Sequence, residues 1–198
     1  GRDYPLIRLK YGVLLVLAPV VLIETAAQAA YFGGLKVDVI TSCCGSLFSA
    51  ASSGVASELA ALPSSPMRIA FYGAIAALVA SGIWFRRRAA GGYVVSGLSL
   101  LAFAISIAAI ISFISLYIYE LPTHHCPFCI LQREYHYMGY PIYAAILGGG
   151  IASAGVWALM PFRTVPSLKE ALPRIQRRLA GAAMVLYAGF TALAIGRM

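Results

Sequence analysis

Residues 93–118 read YVVSGLSLLAFAISIAAIISFISLYI and contain no charged side chain. Crossing the hydrocarbon core of a bilayer takes roughly 17–25 consecutive apolar residues in a helix, so this stretch predicts a transmembrane helix by itself. Similar stretches lie at about 11–32, 68–85, 137–160 and 179–196. The expectation is five membrane-spanning helices. Composition agrees, because 61% of the chain is hydrophobic and 11% charged, whereas soluble domains average about 45–50% and about 25%. The first stretch is too long for the apolar core of a secretory signal, and no A-x-A-like cleavage site follows it, so it is expected to be a span and not a cleaved signal sequence.

Basic residues fall on alternate connections. Arg2, Arg8 and Lys10 precede the first span, Arg86, Arg87 and Arg88 sit between the second and third, and Arg163, Lys169, Arg174, Arg177 and Arg178 lie between the fourth and fifth. The opposite side carries Lys36 and Arg133, with Arg68 and Arg197 at helix ends. The positive-inside rule then predicts a multi-pass protein of the cell inner (plasma) membrane. Its N-terminus is expected in the cytoplasm, with extracytoplasmic loops at 33–67 and 119–136. The net charge of +8 is accounted for by this bias and by contact with anionic lipid, so nucleic acid is not expected as a partner. Phe48 to Leu62, in the first outer loop, is apolar on one side and predicts a short helix lying on the membrane, placed to act as a lid.

All four cysteines then belong to the outer face: the vicinal Cys43 and Cys44 in the first loop, and Cys126-Pro127-Phe128-Cys129 at the entry to the fourth span. Two thiols at a membrane boundary can exchange electrons with other thiols on one side and with a lipid-soluble carrier on the other. Pro122 would break the preceding helix and Thr123 would cap the next, putting Cys126 in a first turn where the helix dipole favours a thiolate. On such a helix Cys126, Cys129, Arg133, His136 and Tyr140 share one face, with Cys126 nearest the loops, Cys129 one turn deeper and the Arg133 guanidinium below it. Glu24 is a carboxylate inside the first span, with Gln28 one turn on. It can face a protein interior in neutral form or deliver protons to a reduced quinone. The tyrosines around the outer interface, Tyr119 and Tyr143 among them, read mostly as an aromatic belt.

The run Cys126-Pro-Phe-Cys129-Ile-Leu-Gln132-Arg133, continuing to Tyr140-Pro141, resembles the dithiol segment of DsbB-type quinone-linked disulfide-forming membrane enzymes. The order of elements is similar to the related vitamin K epoxide reductase family, in which loop cysteines follow the first span and a C-x-x-C opens the fourth. Ser42-Cys43-Cys44-Gly45-Ser46-Leu47-Phe48-Ser49 is similar to that family's segment around its second loop cysteine, with Cys44 at the matching position. The family's first loop cysteine would fall at Lys36, and the Cys43–Cys44 pair stands here instead. The apolar stretches themselves predict an all-α integral membrane protein, and the lack of any internal repeat a single domain over 1–198. The resemblance implies a four-helix bundle plus a fifth transmembrane helix. It also implies a thiol–disulfide oxidoreductase in which Cys126 exchanges with Cys44, Cys129 faces a membrane quinone (ubiquinone or menaquinone), and Arg133 assists that quinone. His136, Tyr140 and Glu24 are further candidates for the quinone site, and an extracytoplasmic thioredoxin-like protein or a larger membrane complex would be the partner.

A different chemistry fits the same residues. Adjacent cysteines seldom bridge each other, because the ring they would close strains the peptide bond, so each is free to take another partner or a soft metal. Cys43, Cys44, His124, His125, Cys126 and Cys129 form a candidate copper or zinc ligand set. The chain would then be a metal-binding membrane protein or a small non-catalytic subunit of a respiratory complex. Otherwise His124 and His125 read as exposed polar loop residues, and His136 as a polar residue inside the helix assembly.

Overall fold

The computed structural model describes residues 6–34, 55–121 and 124–196, the side chain of Ala56 excepted. The described chain is helical throughout, with no strand among the described residues. Five of its helices are long and apolar enough to cross a membrane: α1 (Ile7–Gly33), α3 (Ser64–Arg88), the continuous span Gly92–Tyr119, the span opened by α6 (Gly139–Leu159), and α7 (Ala171–Ile195). A short helix α2 (Val55–Ala60) precedes α3. The third span is α4 (Gly92–Ala109), one π-helical turn (Ile110–Ile114) and α5 (Ser115–Tyr119). The chain is thus a multi-pass membrane protein by the length and composition of its helices.

Two compact units divide the chain, with α1 in one and the other four spans in the second. Within α1, Pro19 is accommodated inside the helix and the Thr25 hydroxyl donates back to the Val21 carbonyl (2.7 Å). In the second unit α3 packs on α4, α4 on α6, α6 on α7, and α7 back on α3. Lipid tails are as apolar as leucine, so small residues and interhelical hydrogen bonds, more than hydrophobicity, hold such helices together. The buried face of α4 is Gly92, Ser96, Ser99, Ala102, Ser106 and Ala109 with Val95. The Ser96 hydroxyl reaches the Ser153 carbonyl on α6 (2.9 Å), and the buried Tyr187 hydroxyl of α7 donates to the Ser99 carbonyl (3.2 Å). Gly149 makes room for that tyrosine, since a Cβ there would stand 2.8 Å from its ring. At the other end of the same core, Phe71 of α3 meets Phe113 and Phe190 edge-on, at 6.1 and 5.5 Å between centroids.

The turn from α3 into α4 shows how the sequence stops one span and starts the next. Arg86, Arg87 and Arg88 occupy the last turn of α3, where cations suit the helix dipole, and Ala89 closes it in the left-handed region with its N–H on the Phe85 carbonyl (2.7 Å). Gly91 follows at φ +82°, and a Cβ there would lie 2.4 Å from the Trp84 ring, so glycine is required twice over. Arg163 ties this turn to α7: its Nε donates to Gln176 Oε1 (2.6 Å) and its Nη1 to the Ala89 carbonyl (2.7 Å). Fully buried Gln176 in turn donates to the Val156 carbonyl of α6 (3.1 Å).

Two helices start earlier than the sequence expectation: α3 at Ser64, not near 68, and α7 well before its apolar stretch. α7 begins at Ala171, not near 179, because the helix continues past its apolar stretch as an amphipathic turn carrying Arg174, Arg177 and Arg178. Of the surface helix expected over Phe48 to Leu62, only the described part from Val55 can be compared, and it is helical over Val55–Ala60. α2 packs against the π-helical turn, and the Ser112 hydroxyl there donates to the Leu62 carbonyl (3.0 Å).

Candidate functional site

The π-helical turn Ile110–Ile114 adds a residue to one turn of the third span, and such turns expose carbonyls and recur at functional sites. Here the Ile111 carbonyl lies 2.9 Å from His125 Nδ1, so the ring carries its proton on Nδ1 in that contact. One turn further on, Tyr119 ends the span, and Glu120 turns the chain in the left-handed region. The loop that follows lays Cys126-Pro127-Phe128-Cys129 over the ends of the third and fourth spans. Tyr119 donates its hydroxyl proton to the Cys126 carbonyl. Tyr143, on α6, donates to the Pro127 carbonyl. Two spans thus hold the motif's backbone through one tyrosine each. Tyr119 is itself wedged edge-on between His124 and Tyr135, each with a centroid separation of 4.5 Å.

Both cysteines are buried, Cys126 at 1% exposure and Cys129 at 6%. The Tyr119 hydroxyl is within electrostatic reach of both thiols, and that of Tyr143 within reach of Cys126. Gly139, the first residue of α6, lets the turn after Cys129 sit directly on the helix start: a Cβ there would meet Leu131 at 2.8 Å and Ile130 at 3.0 Å.

The expected helical face through Cys126 and Tyr140 is not present. Cys126 lies in the loop, Cys129–Leu131 and Arg133–Tyr135 form separate 3-10 turns, and Gln132 between them is extended (φ −80°, ψ 160°). His136 and Tyr137 then both adopt left-handed φ, near 54° and 57°, which ends any right-handed helix before α6. Cys126 therefore occupies no first turn, and it is no more exposed than Cys129. Arg133 does not stand one helical turn below Cys129; its side chain, like those of His136 and Tyr140, is exposed. His136 is accordingly not inside the packed spans. The backbone itself breaks the helix: Gln132 is extended and His136 and Tyr137 are left-handed, while Gln132, Arg133, Glu134, His136 and Tyr137 turn their side chains to the exterior.

The two loop histidines also differ from the expectation of exposed residues. Both are half-buried, and His124 Nε2 is buried without a hydrogen-bond partner. Tyr119 and Tyr143, read from the sequence as belt residues, are the clamps of the motif. For Tyr143 a signal existed, since it neighbours the buried Gly139, Ile142 and Ile146 on α6. For Tyr119 the π-turn shifts the helical register and hides it.

Cys43, Cys44, Pro122 and Thr123 lie outside the described residues. Glu24 accepts a hydrogen bond from Gln28 Nε2 (3.1 Å) within α1, in the other compact unit. Among the described residues no three His, Cys, Asp or Glu side chains converge as metal ligands, so His124, His125, Cys126 and Cys129 make no metal centre by themselves. A cavity of about 530 Å³ opens between α4 and α6, lined by Phe103 and Leu147 at mid-span and by Tyr93 and Trp157 near the far end. It lies toward the end of the spans away from the cysteines. Comparison with protein-family models, with curated proteins and with solved structures finds no match for this chain.

Proposed function

We propose that the chain is a membrane thiol–disulfide oxidoreductase that passes electrons between cysteine thiols and a membrane quinone. The observation that carries this reading is the pair Cys126 and Cys129, buried in the loop and the 3-10 turn at the end of the packed spans, with the motif's backbone held by tyrosines from two different spans. Clamping the motif's backbone in this way would keep the two thiols positioned to close a disulfide and to reopen it. The four-helix bundle plus a fifth helix implied by the sequence resemblance is part of the proposal, as is the orientation: the arginine-rich end in the cytoplasm and the cysteines outside the inner membrane.

The chemistry balances as follows. Oxidation of Cys126 and Cys129 forms one S–S bond and releases two electrons and two protons, and reduction of one quinone to quinol takes up the same two electrons and two protons. His124, whose Nε2 is buried and without a hydrogen-bond partner, supplies a proton acceptor beside the motif. Exposed Phe128 and the Tyr137–Tyr140 pair, 6.1 Å between centroids, give an aromatic surface at the lipid boundary against which a quinone ring can stack. Cys44 or Cys43 would relay electrons from an extracytoplasmic thiol donor, a thioredoxin-like protein or a partner within a larger membrane complex.

A copper or zinc site remains the second reading on one specific observation, the same unpartnered His124 nitrogen, which would become a ligand if Cys43 and Cys44 approached it. Titrating free thiols in the purified protein separates the two. Under the oxidoreductase reading, a quinone analogue added to reduced protein removes two thiols for each quinol formed, and chelators change nothing. Thiols masked until a chelator is added, with no response to quinone, would transfer the case to the metal.

A further inference from the structure

At the end of the spans away from the cysteines, four guanidinium groups share one cavity of about 360 Å³. Arg86 comes from the last turn of α3, and Arg174, Arg177 and Arg178 from the first turns of α7; Pro173 and the Glu170 carboxylate complete the wall. Positions 174, 177 and 178 are i, i+3 and i+4, so α7 presents all three on one face. Gly181, one turn further along, lets the Arg86 guanidinium lie against the same helix: a Cβ there would come 3.2 Å from its Nη1. Four positive groups thus face one carboxylate. Among the described residues no hydrogen bond or ion pair engages the guanidinium group of any of the four arginines.

We propose that this cavity binds the phosphate of an anionic phospholipid. Guanidinium groups take phosphate oxygens in bidentate pairs, and convergent arginines repel one another until an anion joins them. The depth of the site argues for a lipid-borne phosphate over a free one. Arg86 directly follows the apolar run of α3 that ends at Phe85, and Arg178 directly precedes the uncharged run of α7 that starts at Leu179. The cavity therefore lies at the level where headgroups meet acyl chains. Ile83 and Trp84 on α3 and Val185 on α7, each within about two turns of a cavity arginine along its own helix, are exposed and offer apolar surface that the chains of such a lipid would cover. This inference does not depend on the redox reading or on which leaflet the site faces.

The test is thermal unfolding of the full-length protein in neutral detergent with added phosphatidylglycerol, phosphatidylcholine or inorganic phosphate. Phosphatidylglycerol should raise the midpoint in a saturable way, and the other two should not. The double variant Arg174→Gln/Arg177→Gln should need about tenfold or more phosphatidylglycerol for half the shift. Arg87→Gln/Arg88→Gln, equal in charge change but outside the cavity, should respond as the wild type does. If the first pair fails to fold, Gly181→Leu keeps every charge while filling the place of the Arg86 guanidinium, and should weaken the response similarly. Equal losses in the two double variants, an unchanged response in Gly181→Leu, or no shift in the wild type would overturn the site. A shift reproduced by inorganic phosphate would overturn its assignment to lipid.

Discussion

The Tyr119 hydroxyl, at the end of the third span, donates to the backbone carbonyl of Cys126. This bond makes the cysteine turn part of the packed helices, not an appendage of the loop. Both partners are buried, so removing the donor leaves a carbonyl without water or protein to satisfy it, at a cost of about 1–3 kcal/mol.

Tyr119→Phe should therefore loosen the turn while leaving the spans assembled. The expected result is faster alkylation of Cys126 in the reduced protein and a lower unfolding midpoint, with helix content unchanged. Alkylation at the wild-type rate would mean that the hydroxyl has no part in holding the motif.

The two motif cysteines are nearly equal in burial, so their roles cannot be divided by exposure. Cys129→Ser should leave Cys126 without its motif partner and allow a disulfide from Cys126 to Cys44 or Cys43 to accumulate. Cleavage of the chain between the second and third spans, followed by a non-reducing gel, would show the two fragments still linked. If no cysteine variant yields linked fragments, the proposed relay through the first loop fails.

Arg133 shows how far the local sequence could be read. Its spacing from Cys129 fits a helix, and on a helix its charge would sit beneath the thiol. The structure instead breaks the helix at Gln132 and exposes Arg133, which leaves its charge screened by solvent. Arg133→Ala should then lower quinone-dependent oxidation less than tenfold. A loss of a hundredfold would place the guanidinium directly on the quinone or the thiolate.

The five spans, by contrast, were legible because an uncharged run longer than the bilayer is thick leaves a helix few alternatives. Ends governed by charged residues were less so: α7 starts at Ala171 because arginines can continue a helix beyond the lipid, which hydropathy does not register. The C-x-x-C motif was visible as chemistry but not as geometry. Consecutive left-handed residues at His136 and Tyr137 have no strong sequence signature, and the tyrosine clamps depend on which helix face turns inward. The π-turn at Ile110–Ile114 alters that facing for Tyr119. Histidines 124 and 125 read as solvated because nothing in their neighbours announces that the Ile111 carbonyl and the Tyr119 ring would bury them.

Sidedness is best measured away from the buried motif. Tyr137 is 52% exposed in the same connection, so a cysteine introduced there should react in intact cells with a reagent that cannot cross the membrane. Labelling only after permeabilisation would invert the orientation and place the thiols in a reducing compartment.

In the proposed reaction Cys126 and Cys129 exchange two electrons with a quinone. Its most direct measurement is a single anaerobic turnover of the reduced, purified protein with a soluble quinone analogue, followed by mass-spectrometric mapping of the disulfides. About one quinol per chain is expected from this motif, with a Cys126–Cys129 bond in the product and no quinol from the Cys129→Ser variant. Reduced wild-type protein that yields no quinol, or quinol formed equally well without Cys129, would contradict it.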